Sequence, residues 1–206
     1  MDDQAELIAR LRREAGPSLR FVLGIAGAPG AGKSTFSAQL RDTLTAAGES
    51  AVVVPMDGFH FDDAVLNARG HRARKGAPHT FDVAGFEVLL KRIKAREADI
   101  AIPVFDRAME LARAGAEVIS AEVKFVLVEG NYLLLKQGPW ARLKALFDFT
   151  IFLSVPEVEL EKRLVARWLG LGLDASHARE RALGNDIPNA KTVVLESDTA
   201  DFVLSF

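Results

Sequence analysis

"GIAGAPGAGKSTF", residues 24–36, packs four glycines, a proline, a lysine and two adjacent hydroxyls into thirteen positions. It follows the apolar run "RFVLGIA" (20–26) and precedes a stretch of helical spacing from Ser34 to Ala46, stopped by Gly48. Gly27-Ala28-Pro29-Gly30-Ala31-Gly32-Lys33-Ser34 fits G-x-x-x-x-G-K-[ST] in its required setting of strand before and helix after. Glycines let successive N–H groups converge on phosphate oxygens, and the following helix adds its positive N-terminal end. Lys33 brings a point charge to the β- and γ-phosphates, the Ser34 hydroxyl can coordinate magnesium, and Thr35 continues the binding stretch. The motif binds a nucleoside triphosphate. It does not name the reaction.

Outward from the loop, short apolar runs alternate with helical periods. "AVVVP" (51–55), "FVLVEG" (125–130) and "FTIFLSV" (149–155) read as buried strands, and "DFVLSF" as a terminal one. Residues 3–15 place Leu7, Ile8 and Leu11 at helical spacing before Gly16-Pro17. A helix starts at the cap Asp82 and runs through Phe86, Leu89, Leu90 and Ile93. "EVELEKRLVARWLG" predicts a charged amphipathic helix and "SHARERALGN" a second, whereas residues 58–81 read as polar and irregular. "IAIPVF" and "EVISAE" predict two short strands around a loop. All-apolar strands between helices indicate a parallel sheet covered on both faces. The expectation is one α/β domain over residues 1–206.

Composition narrows the class. Lys plus Arg number 26 against 28 Asp plus Glu, a net charge of −2, without the basic excess of a nucleic-acid binder. No cysteine is present, which excludes disulfides and thiolate metal sites. The opening "MDDQAELIARLRREAG" is charged and helix-periodic, unlike a signal peptide, and no apolar run approaches membrane-spanning length. These features predict a cytoplasmic protein with no membrane or nucleic-acid partner, and they leave a homodimer open.

The phosphate loop serves several chemistries. A GTPase needs a guanine-reading N-K-x-D, which is absent, and "DVAG" (82–85) follows "KGAPHTF" rather than an apolar strand. A small-molecule kinase needs a base, a metal ligand and a closing lid. Asp57 follows the second strand in "VVVPMDGFH", where ligands of open α/β sheets gather; it could take a hydroxyl proton, hold magnesium through water, or serve as a turn residue. Glu129 ends "FVLVEG" where a metal-holding carboxylate belongs. Arg163 and Arg167, four apart on one helix face, precede the flexible "LGLGLD" and then Arg179 and Arg181. That grouping predicts a lid over residues 163–185 carrying arginines to the transferred phosphate; pairing with Glu157, Glu159 and Glu161 is the plainer alternative.

With these residues in place, the chain resembles the uridine kinase, phosphoribulokinase and pantothenate kinase group of phosphate-loop kinases. "GAPGAGKST", "PMDGFHF", "RKGAPHTFD", "PVFDR", "VLVEGNYLL" and the arginine helix carry the likeness across nearly the whole length. It is nearest to the bacterial fructose transport system kinases, a genomic label rather than a chemistry. The resemblance implies a P-loop NTPase three-layer α/β/α sandwich with a mainly parallel five-stranded sheet and a helical lid. It implies ATP and Mg²⁺, Asp57 as base, and Glu129 near magnesium. His60, Lys75, His79 and Asp106 would line the acceptor pocket, and Asn189 in "NDIPNA" would lie toward the adenine. His79 departs from the acid that uridine kinases carry in that stretch. The expected activity is ATP-dependent phosphorylation of a hydroxyl on a small metabolite, such as the sugar fructose. A nucleoside or pantothenate-type kinase, or a non-catalytic ATP-binding regulator, is the alternative.

Overall fold

A computed structural model describes residues 2–206, with side chains from Glu6 onward. In chain order the helices are α1 (Asp2–Ala15), α2 (Lys33–Ala46), α3 (Asp63–Ala68), α4 (Val83–Lys94), α5 (Glu157–Gly170), α6 (Ala175–Arg181) and α7 (Ile187–Glu196). The strands are β1 (Phe21–Gly27), β2 (Ala51–Pro55), β3 (Ile100–Asp106), β4 (Leu111–Ile119), β5 (Phe125–Gly130), β6 (Phe149–Ser154) and β7 (Phe202–Ser205).

Five strands form one parallel sheet in the order β2-β5-β1-β6-β7. Every residue of β1 and β5 is buried, which is why these central strands read as unbroken apolar runs rather than alternating ones. Helices cover the sheet in a three-layer α/β/α arrangement, with Leu40 and Leu44 of α2 and Phe86, Leu90 and Ile93 of α4 in the same core as Leu23, Ile25 and Leu127. Asp82 caps α4 by accepting a hydrogen bond from Gly85 N–H at 2.9 Å. No helix among the described residues is long and apolar enough to cross a membrane.

The pair β3–β4 forms a separate antiparallel hairpin, not part of the main sheet. Its second strand starts at Leu111, six residues earlier than the "EVISAE" reading, and takes in the small-residue sequence "LARAGA", much of which faces solvent. Two helices depart from the sequence expectation. Within the polar stretch 58–81, α3 forms on the Asp62 cap, whose side chain accepts from Ala64 N–H at 2.8 Å. The predicted "SHARERALGN" helix does not end at its asparagine: a π-helical turn over Ala182–Asp186 carries it into α7, where Pro188 sits in the first turn.

Candidate active site

The registers of the central strands bring the chemistry to one edge. Pro55 of β2 and Ile25 of β1 both align with Glu129 of β5, so the carboxyl ends of three strands open on one cleft. The phosphate loop follows β1 there, and a 3₁₀ turn over Met56–Phe59 follows β2 and carries Asp57. Gly30 and Gly32 take φ of +82° and +89°, which a side chain would resist. A Cβ at Gly32 would meet no atom within 4 Å, leaving the loop's interior open, whereas one at Gly30 would press on Leu164 at 3.1 Å. Ala28 and Ala31 turn their methyls into the core and leave backbone to the loop.

Lys33 is buried, with its ammonium donating to the Ala28 carbonyl at 3.0 Å and to Asn131 Oδ1 at 2.6 Å. Burial pushes its pKa down, against the opposing pull of Glu129 and Asp57. Glu129 is also buried, and burial pushes its carboxyl up, offset by Lys33 and by the Ser34 hydroxyl, which donates to Oε1 at 3.0 Å. Their opposite charges act on each other across the site, while each makes its hydrogen bonds to other groups.

Among the described residues no group of three or more His, Asp or Glu side chains could cage a metal. Magnesium needs no such cage beside a nucleotide, since it keeps several waters and takes phosphate oxygens with one or two protein ligands. The converging Ser34 hydroxyl and Glu129 carboxylate, both hard oxygens, fit that role.

The cleft is lined further by Pro29, Thr35, Asp57, His60, Lys75 and Asn189, all named from sequence. Asp57 pairs with Arg107, and its backbone carbonyl lies 2.8 Å from His60 Nδ1. His60 packs at a tilt against both Phe81 and Phe105, with ring centroids 4.0 and 4.9 Å away, and burial pushes its pKa down. Lys75 is buried, bound to Asp63 at 2.7 Å and to the Glu110 carbonyl at 2.8 Å. Asn189 accepts from Arg74 at 3.1 Å and lies near Gly76, on the Lys75 side of the cleft.

Other expected residues are not brought to the cleft. His79 is exposed and packs edge-on against His71 at 4.7 Å, because a 3₁₀ turn over Pro78–Thr80 buries Thr80 and turns the imidazole outward. Asp106 does local work at the hairpin turn, accepting from the Ala108 and Met109 N–H groups at 3.0 and 3.1 Å. The arginine group divides. Arg163 pairs with Glu159 at 2.8 Å and Arg179 with Glu161 at 3.1 Å, away from the cleft. Arg167 and Arg181 reach it, each standing over the Trp168 ring, whose indole N–H donates to Asp186 at 2.6 Å.

Sequence reasoning did not single out Arg107, Asn131, Asn185 or Trp168, all of which line the cleft. Asn131 lay inside the quoted "VLVEGNYLL", directly after the turn that frees Glu129, and that position was the available signal. Arg107 lay in "PVFDR", but nothing local ties it to a carboxylate fifty residues away.

The chain is similar in sequence and fold to known proteins. A crystal structure from Silicibacter sp. TM1040, of a protein provisionally named a fructose transport system kinase, superposes with a TM-score of 0.94 at 42% identity, covering 98% of each chain. The Escherichia coli K12 protein YggC is 34% identical over 190 residues, 91% of this chain and 78% of that one. A Schizosaccharomyces pombe protein provisionally named a uridine kinase is 34% identical over 194 residues, 90% of this chain and 83% of that one. Residues 22–167, which hold the phosphate loop, Asp57, Glu129 and Arg167, match the phosphoribulokinase / uridine kinase family, and the chain belongs to that family of P-loop small-molecule kinases.

Proposed function

We propose that the protein transfers the γ-phosphoryl group of ATP, taken with Mg²⁺, to a hydroxyl of a small polyhydroxy metabolite of the sugar class. The observation that carries this reading is that the phosphate-loop Lys33 and the carboxylate of Asp57 face one cleft from different strand ends. Asp57 is close enough for its charge to act on both Lys33 and Glu129.

In the proposed reaction the loop N–H groups and Lys33 hold the β- and γ-phosphates. Ser34 and Glu129 would hold the metal, which neutralises charge on the phosphates when bound. Asp57 accepts the hydroxyl proton as the acceptor oxygen bonds to the γ-phosphorus. The bond from that phosphorus to the bridging oxygen breaks, and ADP leaves. Arg167 serves the transferred group from the segment 163–185, which acts as a lid. His60 and Lys75 face the acceptor, and the polar character of this wall favours a hydroxylated molecule over an apolar one.

Coupled ADP release, screened over sugars, sugar derivatives, nucleosides and pantothenate, tests the proposal. Acceptor-dependent ADP formation is expected from the sugar class. ATP binding without acceptor-dependent turnover for any compound would instead indicate a regulatory ATP-binding protein.

A further inference from the structure

The tip of the β3–β4 hairpin reaches over the cleft and sets the Arg107 guanidinium on Asp57 Oδ2. The fold does not need this contact. The Arg107 side chain is 55% exposed, and ion pairs so open to water add little stability. The hairpin is anchored without it: Phe105 packs against His60, and Lys75 binds the Glu110 carbonyl.

The contact also bears on the proposed chemistry, because Arg107 holds Oδ2 of the carboxylate whose other oxygen, Oδ1, is left to accept from the acceptor hydroxyl that is to lose its proton. Once Asp57 accepts that proton, its charge is gone. Lys75 keeps Asp63 and Glu110 as counter-charges, but Arg107 pairs with no other carboxylate among the described residues. A guanidinium left facing the cleft calls for another anion, and its planar fork suits a carboxylate or a phosphate ester.

Resting on the kinase reading above, we infer that Arg107 recognises an anionic group on the acceptor, so that the substrate is a hydroxylated anion, a sugar acid or sugar phosphate, whose binding draws Arg107 off Asp57. Arg107 is thereby a specificity-determining residue. Lys75 and Arg107 both lie within cation–π reach of the Phe105 ring, 5.1 and 5.3 Å from its centre, so two cations share this wall of the cleft.

The test compares matched acceptors on the full chain: D-glucose with D-gluconate and D-glucose 6-phosphate, and D-fructose with D-fructose 6-phosphate. The anionic members should exceed the neutral ones in kcat/KM by about 100-fold, the worth of a charge-assisted bidentate contact. The carboxylate and phosphate arms identify which anion is read. Arg107→Gln should abolish the preference mainly through KM, Arg107→Lys should restore part of it, and ATP affinity should stay unchanged in both. A wild-type preference for neutral acceptors would overturn the inference. So would an equal kcat loss on neutral and anionic acceptors in Arg107→Gln, which would assign Arg107 to the transferred phosphoryl group. If no acceptor turns over, the kinase reading fails separately. Calorimetry with the protein loaded with a non-hydrolysable ATP analogue then decides: gluconate or a sugar phosphate binding equally to wild type and Arg107→Gln, or to neither, sinks it.

Discussion

The Ser34 hydroxyl donates to Glu129 Oε1 at 3.0 Å, joining the first turn after the phosphate loop to the end of the neighbouring strand. Asp57 lies across the same cleft but on the 3₁₀ turn that follows β2. The two carboxylates therefore occupy different stations, one beside the loop and one beside Arg107 and His60.

That separation predicts opposite responses to magnesium. Glu129→Gln should raise the magnesium needed for half-maximal rate, because a neutral amide is a poorer ligand for a hard cation, and excess magnesium should partly restore it. Asp57→Asn should lower turnover by roughly 10²- to 10⁴-fold with little change in ATP affinity and no rescue. Magnesium titrations of both variants check this; rescue of Asp57→Asn alone would exchange the roles.

Lys33→Met should remove phosphoryl transfer. Lys33 is buried with its ammonium on Ala28 and Asn131, and no other lysine sits on the loop. An apolar side chain in this desolvated place can keep the melting temperature close to wild type while losing the charge. Transfer at the wild-type rate in a folded variant would refute the role given to the loop.

His60 gives a pH dependence with a definite sign. Burial lowers its pKa below 6.5, aided by Lys75 and Arg107 and opposed by Asp57 and its carbonyl. Below about 6.5 the unfolded chain takes up a proton that the folded protein refuses, so stability falls on acidification from that point to the lowered native pKa. The slope from this one group is at most about 1.4 kcal/mol per pH unit. Chemical denaturation at pH 7, 6 and 5 should show a shallower loss for His60→Phe than for wild type.

The segment from Arg163 to Asn185 should respond to nucleotide. Trp168 lines the cleft beneath Arg167 and Arg181 and is tied to Asp186, so an occupied phosphate site should change its environment. A non-hydrolysable ATP analogue should alter tryptophan fluorescence in a Trp140→Phe background and slow proteolysis around "LGLGLD". Identical spectra and cleavage patterns with and without the analogue would count against a lid.

The central sheet was legible because burial on both faces writes itself as apolar runs: β1, β5 and β6 were readable at nearly their true bounds, as was the loop between β1 and α2. The failures share a cause, which is that polar residues serve local structure and distant partners equally well. Asp106 between two strand-like runs carried the signature of a side chain folding back on its own backbone, yet the likeness to known kinases placed it in the pocket. The sequence reading named no helix after "SHARERALGN", yet α7 begins at Ile187 with Pro188 in its first turn, where proline is tolerated. Arg163 and Arg167 share a helix face, but Arg163 has Glu159 four residues before it and pairs with it, whereas Arg167 has no acid at that spacing and reaches the cleft.

A Cβ at Gly58 would lie 2.3 Å from the Pro103 carbonyl oxygen, so the turn bearing Asp57 and the hairpin bearing Arg107 touch backbone to backbone. This contact makes a joint between two independent pieces of architecture. The five-stranded sheet holds the phosphate loop, Glu129 and the root of Asp57, while the two-stranded hairpin and its tip bring Phe105, Arg107 and Glu110 to the same cleft. Residues 107–110 at the hairpin tip are exposed and lie outside the main core, so exchanging them costs the sheet little. On the proposed reading, rewriting this four-residue tip would retune the scaffold toward new acceptors, with Gly58 kept bare against Pro103.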